Sequence, residues 1–190
     1  MRTRAQVLRA AAAGGAAVGA AAWLRPQPSA GKTSAEQDAR ILSFLLVLEE
    51  AQAAFYDAAL RGGRLRGDLL TFARTVAPQE HEHVDFLRGK LGSRAEARPR
   101  FDFAKATSDP DRFRDAAIEL EEAAAAAYIG QGANLTRDAV ADAARIVAVE
   151  ARHAAWIRDL AGALPAPHAA DPPRSAKDIL SELRSKGYLR

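Results

Sequence analysis

Two glutamates, Glu49 and Glu121, each open a phrase that closes on a tyrosine seven positions later, Tyr56 and Tyr128. Each phrase is followed downstream by a Glu-x-x-His, Glu80 with His83 and Glu150 with His153. The phrases are near copies of one another, LEEAQAAFY at 48–56 and LEEAAAAAY at 120–128. Residues seven apart on an α-helix lie within about 20° of each other, so the neighbours of each acid can be read directly. Glu49 falls on a stripe with Leu42, Leu45, Ala53, Tyr56 and Leu60, whereas Ser43, Glu50 and Asp57 form the adjoining stripe and read as the wet face. Glu121 lies with Ile118, Ala125 and Tyr128, and Asp115 and Glu122 run alongside. Glu80 and His83 lie with Leu69, Val76, Leu87 and Leu91, and Glu150 and His153 with Ile146, Ile157 and Leu160. Four carboxylates and two imidazoles therefore interrupt apolar faces. Burying them without compensation would cost several kcal/mol per charge. Two divalent cations about 3.5–4 Å apart would supply the missing charge, with each i, i+3 pair offering a carboxylate and a nitrogen from one helical turn.

The elements that position these residues follow from the rest of the chain. At 190 residues it has the length of one ordinary domain with tails. Helix formers dominate and aromatics are scarce, so an all-α protein is expected. Thr33-Ser34-Ala35-Glu36 reads as a capping box opening a first helix that runs to about Leu60, before the glycines of RGGRLRG. A second helix reaches about Leu91, and a long irregular connection follows. Asp109 with Pro110 then marks the start of a third helix to about Gln131, and Asn134 or Thr136 caps a fourth to about Gly162. Short, long and short connections specify a four-helix bundle of two hairpins joined by a crossover over residues 33–162. Beyond it, the Pro-rich residues 163–175 lead to a short amphipathic helix with Ile179, Leu180 and Leu183 on one face, expected to dock on the bundle or on a partner.

Cysteine is absent, which removes thiolate metal sites, iron–sulfur clusters and thiol nucleophiles, so any metal must use Glu, Asp and His. The net charge of +3 is unevenly spread: residues 1–32 carry five basic and no acidic side chains, and residues 33–162 sum to −4. A nucleic-acid-binding domain would carry a basic face with aromatics for stacking, and no nucleic-acid partner is expected. Residues 1–32 have a basic start, a weakly apolar Ala/Gly run and a Pro/Ser/Gly end, the layout of an export signal. Thr3-Arg4-Ala5-Gln6-Val7-Leu8-Arg9 is similar to a twin-arginine signal, with Ala5 where the second arginine belongs. Export to the periplasm or cell envelope is the expectation, with an uncleaved leader acting as a membrane tether and a cytoplasmic location as open alternatives.

The chain resembles the ferritin-like superfamily, in particular its exported bacterial branch. The resemblance covers about residues 34–162 and rests on IVAVEARHAAWIR in the fourth helix and on LEEAQAAFY and LEEAAAAAYIG in the first and third. It implies a ferritin-like four-helix bundle in which Glu49, Glu80, His83, Glu121, Glu150 and His153 are the metal ligands. Tyr56 and Tyr128 match the tyrosines that rubrerythrin-type members place beside the cluster, where a phenol orients a ligand carboxylate. The implied cofactor is a pair of iron ions, or alternatively two manganese ions. The implied activity is activation of O₂ or peroxide, ferroxidase-like or detoxifying, since no cysteine-based electron-transfer module accompanies the bundle. A manganese catalase-like activity and a non-catalytic envelope scaffold are the alternatives. A cage is not expected, and a homodimer is compatible with the tails. Among the remaining polar residues, His81 and Glu82 belong to the polar side of the second helix, and His168 in the Pro-rich stretch reads as solvent-exposed. Pro78, two residues before Glu80, should kink the helix and free a carbonyl.

Overall fold

The computed structural model describes residues 33–190. The leader, with its export and tethering readings, lies outside the described residues. Four long helices and one short one follow: α1 Ala35–Gly62, α2 Gly67–Leu91, α3 Pro110–Gly132, α4 Arg137–Leu160 and α5 Ala176–Ser185, with a 3₁₀ turn at Gly92–Arg94. α1 packs on α2 and α3 on α4 as hairpins, and the hairpins dock through α1 on α3 and α2 on α4. The result is a four-helix bundle with a crossover between its halves and a short C-terminal helix, the architecture that the resemblance implies. Among the described residues, no helix is long and apolar enough to cross a membrane.

The ends of the helices follow their local chemistry. Ser34 caps α1, its Oγ accepting from the Gln37 amide at 3.2 Å. The side chain of Gln37 instead reaches across to donate to the Asn134 carbonyl at 3.1 Å. α1 ends where Gly63 adopts φ 62°, the left-handed conformation that glycine takes without a Cβ clash. Asp109 caps α3 by accepting from Arg112 at 2.9 Å, with Pro110 in the first turn, where no helical N–H is needed. Thr136 occupies the cap position of α4 without capping it; its amide donates to Asp38 on α1 at 2.9 Å, and its hydroxyl bonds the same carboxylate. The start of the second hairpin is thereby tied to the first. α2 remains a single helix through Pro78, which lies at the surface.

Every residue of the four inner stripes is buried or half-buried. The stripe beside Glu49 differs from its expected wet character at Glu50, which is 2% exposed. Two arginines cover it: Arg88 of α2 pairs with its carboxylate, and Arg98 of the crossover donates to its backbone carbonyl at 3.1 Å. Helical periodicity places Glu50 at the margin of the bundle, and only the path of the crossover decides that this margin is closed. Glu122, its counterpart on α3, is exposed and pairs with Arg158.

At one end of the bundle the aromatics gather. Phe55 stacks on Phe113 with centroids 5.1 Å apart, and Phe103 of the crossover meets Phe55 edge-on at 5.4 Å. Tyr56 meets Phe72 edge-on at 5.9 Å, and Phe72 meets Trp156 at 5.1 Å. These large side chains supply much of the apolar contact between the hairpins. The C-terminal segment docks on α3: Ile179 and Leu183 are buried and Leu180 half-buried. Its approach requires Gly130, because a Cβ there would lie 2.3 Å from the Arg174 carbonyl oxygen. Arg174 in turn donates its amide to the Ala126 carbonyl at 3.0 Å. The last residues then pair with the crossover through an isolated bridge between Phe101 and Leu189, an Arg190 amide bond to the Arg100 carbonyl at 3.0 Å and an Arg190–Asp102 ion pair.

Candidate metal centre

One residue or pair from each long helix meets at the middle of the bundle: Glu49 from α1, Glu80 and His83 from α2, Glu121 from α3, Glu150 and His153 from α4. All four carboxylates are 0% exposed, His83 is 9% and His153 4% exposed. Their ligand atoms form two overlapping groups, Glu49, Glu80, His83 and Glu150 in one and Glu80, Glu121, Glu150 and His153 in the other, each with its atoms within 4.8 Å of one another. Glu80 and Glu150 belong to both. The pair Glu49 and His83 is peculiar to one group and the pair Glu121 and His153 to the other, so the duplicated sequence yields two half-sites with two shared acids.

The atoms are disposed accordingly. Oε2 of Glu80 lies 3.5 Å from Nδ1 of His83, and its Oε1 lies 3.0 Å from Nδ1 of His153. Oε1 of Glu150 lies 3.0 Å from Nδ1 of His83. Glu49 Oε2 is 3.2 Å from the same nitrogen, and Glu121 Oε2 is 3.4 Å from Nδ1 of His153. Both imidazoles thus aim Nδ1 inward. The i, i+3 spacing is what permits this, since acid and imidazole leave the helix one turn apart on one face.

The tyrosines cross between the hairpins. Tyr128 on α3 donates to Oε1 of Glu49 on α1 at 2.5 Å, and Tyr56 on α1 donates to Oε1 of Glu121 on α3. Both phenols are buried, and burial raises their pKa well above the ordinary value, with the adjoining carboxylates adding to the shift, so each remains a donor. The sequence reading missed two further groups. Gln52 is 1% exposed and donates its Nε2 to Glu121 Oε2 at 3.2 Å and Glu150 Oε2 at 3.0 Å. Gln79 places its Oε1 2.7 Å from Nε2 of His153. A signal for Gln52 exists in the sequence: it is the long polar residue of LEEAQAAFY, one turn from Glu49, where LEEAAAAAY has Ala124.

The electrostatics of so many buried acids are severe. Burial pushes Glu49 up to about 7 and Glu150 up to about 8, and raises Glu80, with the neighbouring carboxylates adding to the rise in each case. Burial alone would depress the imidazoles, yet the facing carboxylates of Glu150, Glu49 and Glu80 raise His83 to about 12, and those of Glu121 and Glu80 raise His153 to about 10. In the bare protein, protons must stand in for missing positive charge. Even so, both oxygens of Glu80, Oε1 of Glu150 and Nδ1 of His153 are buried without a hydrogen-bond partner of good geometry. Such orphaned atoms cost about 1–3 kcal/mol each and converge on one point, which fits a pair of cations held by oxygen and imidazole donors.

The other sequence candidates lie elsewhere. His81 is exposed on the outer side of α2, 3.1 Å from Asp57, and Glu82 is exposed beside it. His168 is exposed and lines a cleft of about 400 Å³ between the Pro-rich linker and the α3–α4 hairpin, apart from the six inner residues.

A family model for the ferritin-like domain matches residues 37–163. Comparison with the curated proteins gives no match.

Proposed function

The chain belongs to the ferritin-like domain family, and from that premise we propose that it is a di-iron, or di-manganese, carboxylate protein that activates O₂ or peroxide, with a ferroxidase-like or detoxifying role. The observation that carries this reading is the pair of overlapping ligand groups sharing Glu80 and Glu150, where both oxygens of Glu80 and Oε1 of Glu150 are buried without a hydrogen-bond partner of good geometry. Two divalent metals held there would supply electrons to O₂ or peroxide, one from each ion, in a water-poor pocket. Glu49 and His83 would hold one ion, Glu121 and His153 the other, and Glu80 and Glu150 both. Tyr56 and Tyr128 fix the orientation of Glu121 and Glu49 through their Oε1 atoms, which turns the Oε2 of each acid toward the histidine of its own half. As metal binds, the protons held by Glu49, Glu150 and the two imidazoles must leave, so the site exchanges protons for cations. Export to the cell envelope, resting on the basic Ala/Gly-rich leader, belongs to the same proposal.

The test is metal content by elemental mass spectrometry after loading with Fe²⁺ or Mn²⁺, with O₂ and peroxide consumption measured on the same samples. Close to two ions per chain, lost in the Glu121→Ala/Glu150→Ala double variant, together with oxidant consumption that tracks iron or manganese content, is the expected result. Two ions without any reaction would leave a structural metal site, and no bound metal would leave a scaffold.

A further inference from the structure

The two half-sites of the duplicated bundle are not supported alike. Gln52 follows Glu49 by one turn but reaches across the bundle to the other half-site, where it holds Glu121 and the shared Glu150. The amide must present its N–H there, because an amide oxygen facing two carboxylates would be repelled. At the duplicated position stands Ala124, which has nothing to donate to Glu49. The same one-sidedness appears at the histidines. Gln79, next to Glu80, bonds Nε2 of His153; the duplicated position next to Glu150 is Val149, an apolar residue with no hydrogen bond to offer Nε2 of His83. Both glutamines therefore act on the half formed by Glu121 and His153, although they come from α1 and α2. The tyrosines do not create this difference, since Tyr56 and Tyr128 serve the two halves reciprocally.

Gln52 is not explained as packing. Its Oε1 is buried without a partner, a penalty that an apolar side chain of similar size would avoid. What the glutamine contributes in return is its Nε2, spent on two metal-facing acids. A carboxylate and an imidazole held in place by outer hydrogen bonds lose less freedom on coordination, and removing such partners typically lowers metal affinity about 10–100-fold.

We propose that Gln52 and Gln79 are positioning residues that make the two metal positions unequal, the position of Glu121 and His153 filling first and more tightly than that of Glu49 and His83. This rests on the dinuclear reading above. It states an order of filling within one chain and assigns that order to two glutamines present in only one of the duplicated halves.

The metal-free full-length chain is titrated with Co²⁺, following ligand-field absorption and calorimetric heat together. Two steps separated by about tenfold or more in affinity are expected. Glu121→Ala should abolish the tighter step and Glu49→Ala the weaker one. Gln52→Met, close in volume but without an N–H, should weaken the tighter step about 10–100-fold and shift its cobalt spectrum, while weakening the other step, which shares only Glu150 with it, by less. Gln79→Met, at a half-buried site that spares the core, should do the same to a smaller degree and remains informative if Gln52→Met does not fold. Two cobalt ions bound with equal affinity, or a tight step that both glutamine variants leave unchanged, would overturn this inference alone. No cobalt uptake by the wild-type chain would overturn the dinuclear reading and this inference together.

Discussion

The Tyr128 hydroxyl on α3 donates to Oε1 of Glu49 on α1 at 2.5 Å, and Tyr56 repeats the contact in the opposite direction on Glu121. Each tyrosine therefore serves the acid of the other hairpin, so the repeated phrase organises the site only when both copies are folded against each other. Tyr128→Phe should remove the restraint on Glu49 while keeping the ring in place. We expect metal affinity to fall about 10–100-fold at the affected half, with the metal-free protein destabilised by about 1–3 kcal/mol as Glu49 loses a buried donor. Metal titration beside thermal unfolding of the chelated protein checks both numbers.

The protons at the centre give the bare and loaded proteins opposite responses to pH. Glu49 at about 7, Glu150 at about 8, His83 at about 12 and His153 at about 10 all stand above their ordinary values, so the folded chain holds protons that the unfolded chain has released. The metal-free protein should lose stability as pH rises, the carboxyl share between about 4.5 and about 8 and the imidazole share from about 6.5 upward. With metal bound the same protons are competitors, so affinity should rise between about pH 5 and pH 8. Melting temperatures of chelated and Mn²⁺-loaded protein across that range should diverge; parallel curves would show that the site and the metal are not linked.

The pairing of Arg88 with Glu50 protects a carboxylate that is 2% exposed. Arg88→Met should leave that acid buried and cost about 1–3 kcal/mol of folding free energy. Adding Glu50→Gln should recover part of the loss, and denaturant unfolding of the two variants and the double variant gives the coupling directly.

Legibility in the sequence follows the range of the contacts. Glu49, Glu80, His83, Glu121, Glu150 and His153 stand out because helical spacing and apolar neighbours are local properties, and the structure brings all six to one place. Asp109 was legible as a cap for the same reason, whereas α1 is capped by Ser34 with Gln37, one residue beyond the box of Thr33 and Glu36 that the sequence suggests. Glu50 was misread because its burial depends on Arg98, which arrives through the irregular crossover. Gln52 was passed over because its partners lie on α3 and α4, and no periodicity within α1 reveals them. Thr136 likewise holds the cap position of α4 but spends its hydroxyl on Asp38 of α1.

Gly130 gives a test of the C-terminal dock that leaves the centre untouched. A methyl group there would meet the Arg174 carbonyl at 2.3 Å, so Gly130→Ala must push the linker off α3. We expect a loss of about 1–3 kcal/mol and earlier proteolytic cleavage within residues 163–175, with metal content unchanged. Limited proteolysis and elemental analysis of the same sample separate the two effects.

The edge-on contacts from Tyr56 through Phe72 to Trp156 place an indole one helical turn beyond His153. Trp156 is the sole tryptophan among the described residues, the other being Trp23 in the leader. In a Trp23→Phe background the protein therefore carries its own optical probe. Its emission arises one helical turn from His153, and an ion that absorbs in that wavelength range will dim it as the centre fills, so occupancy can be followed by light in the intact chain without any added label.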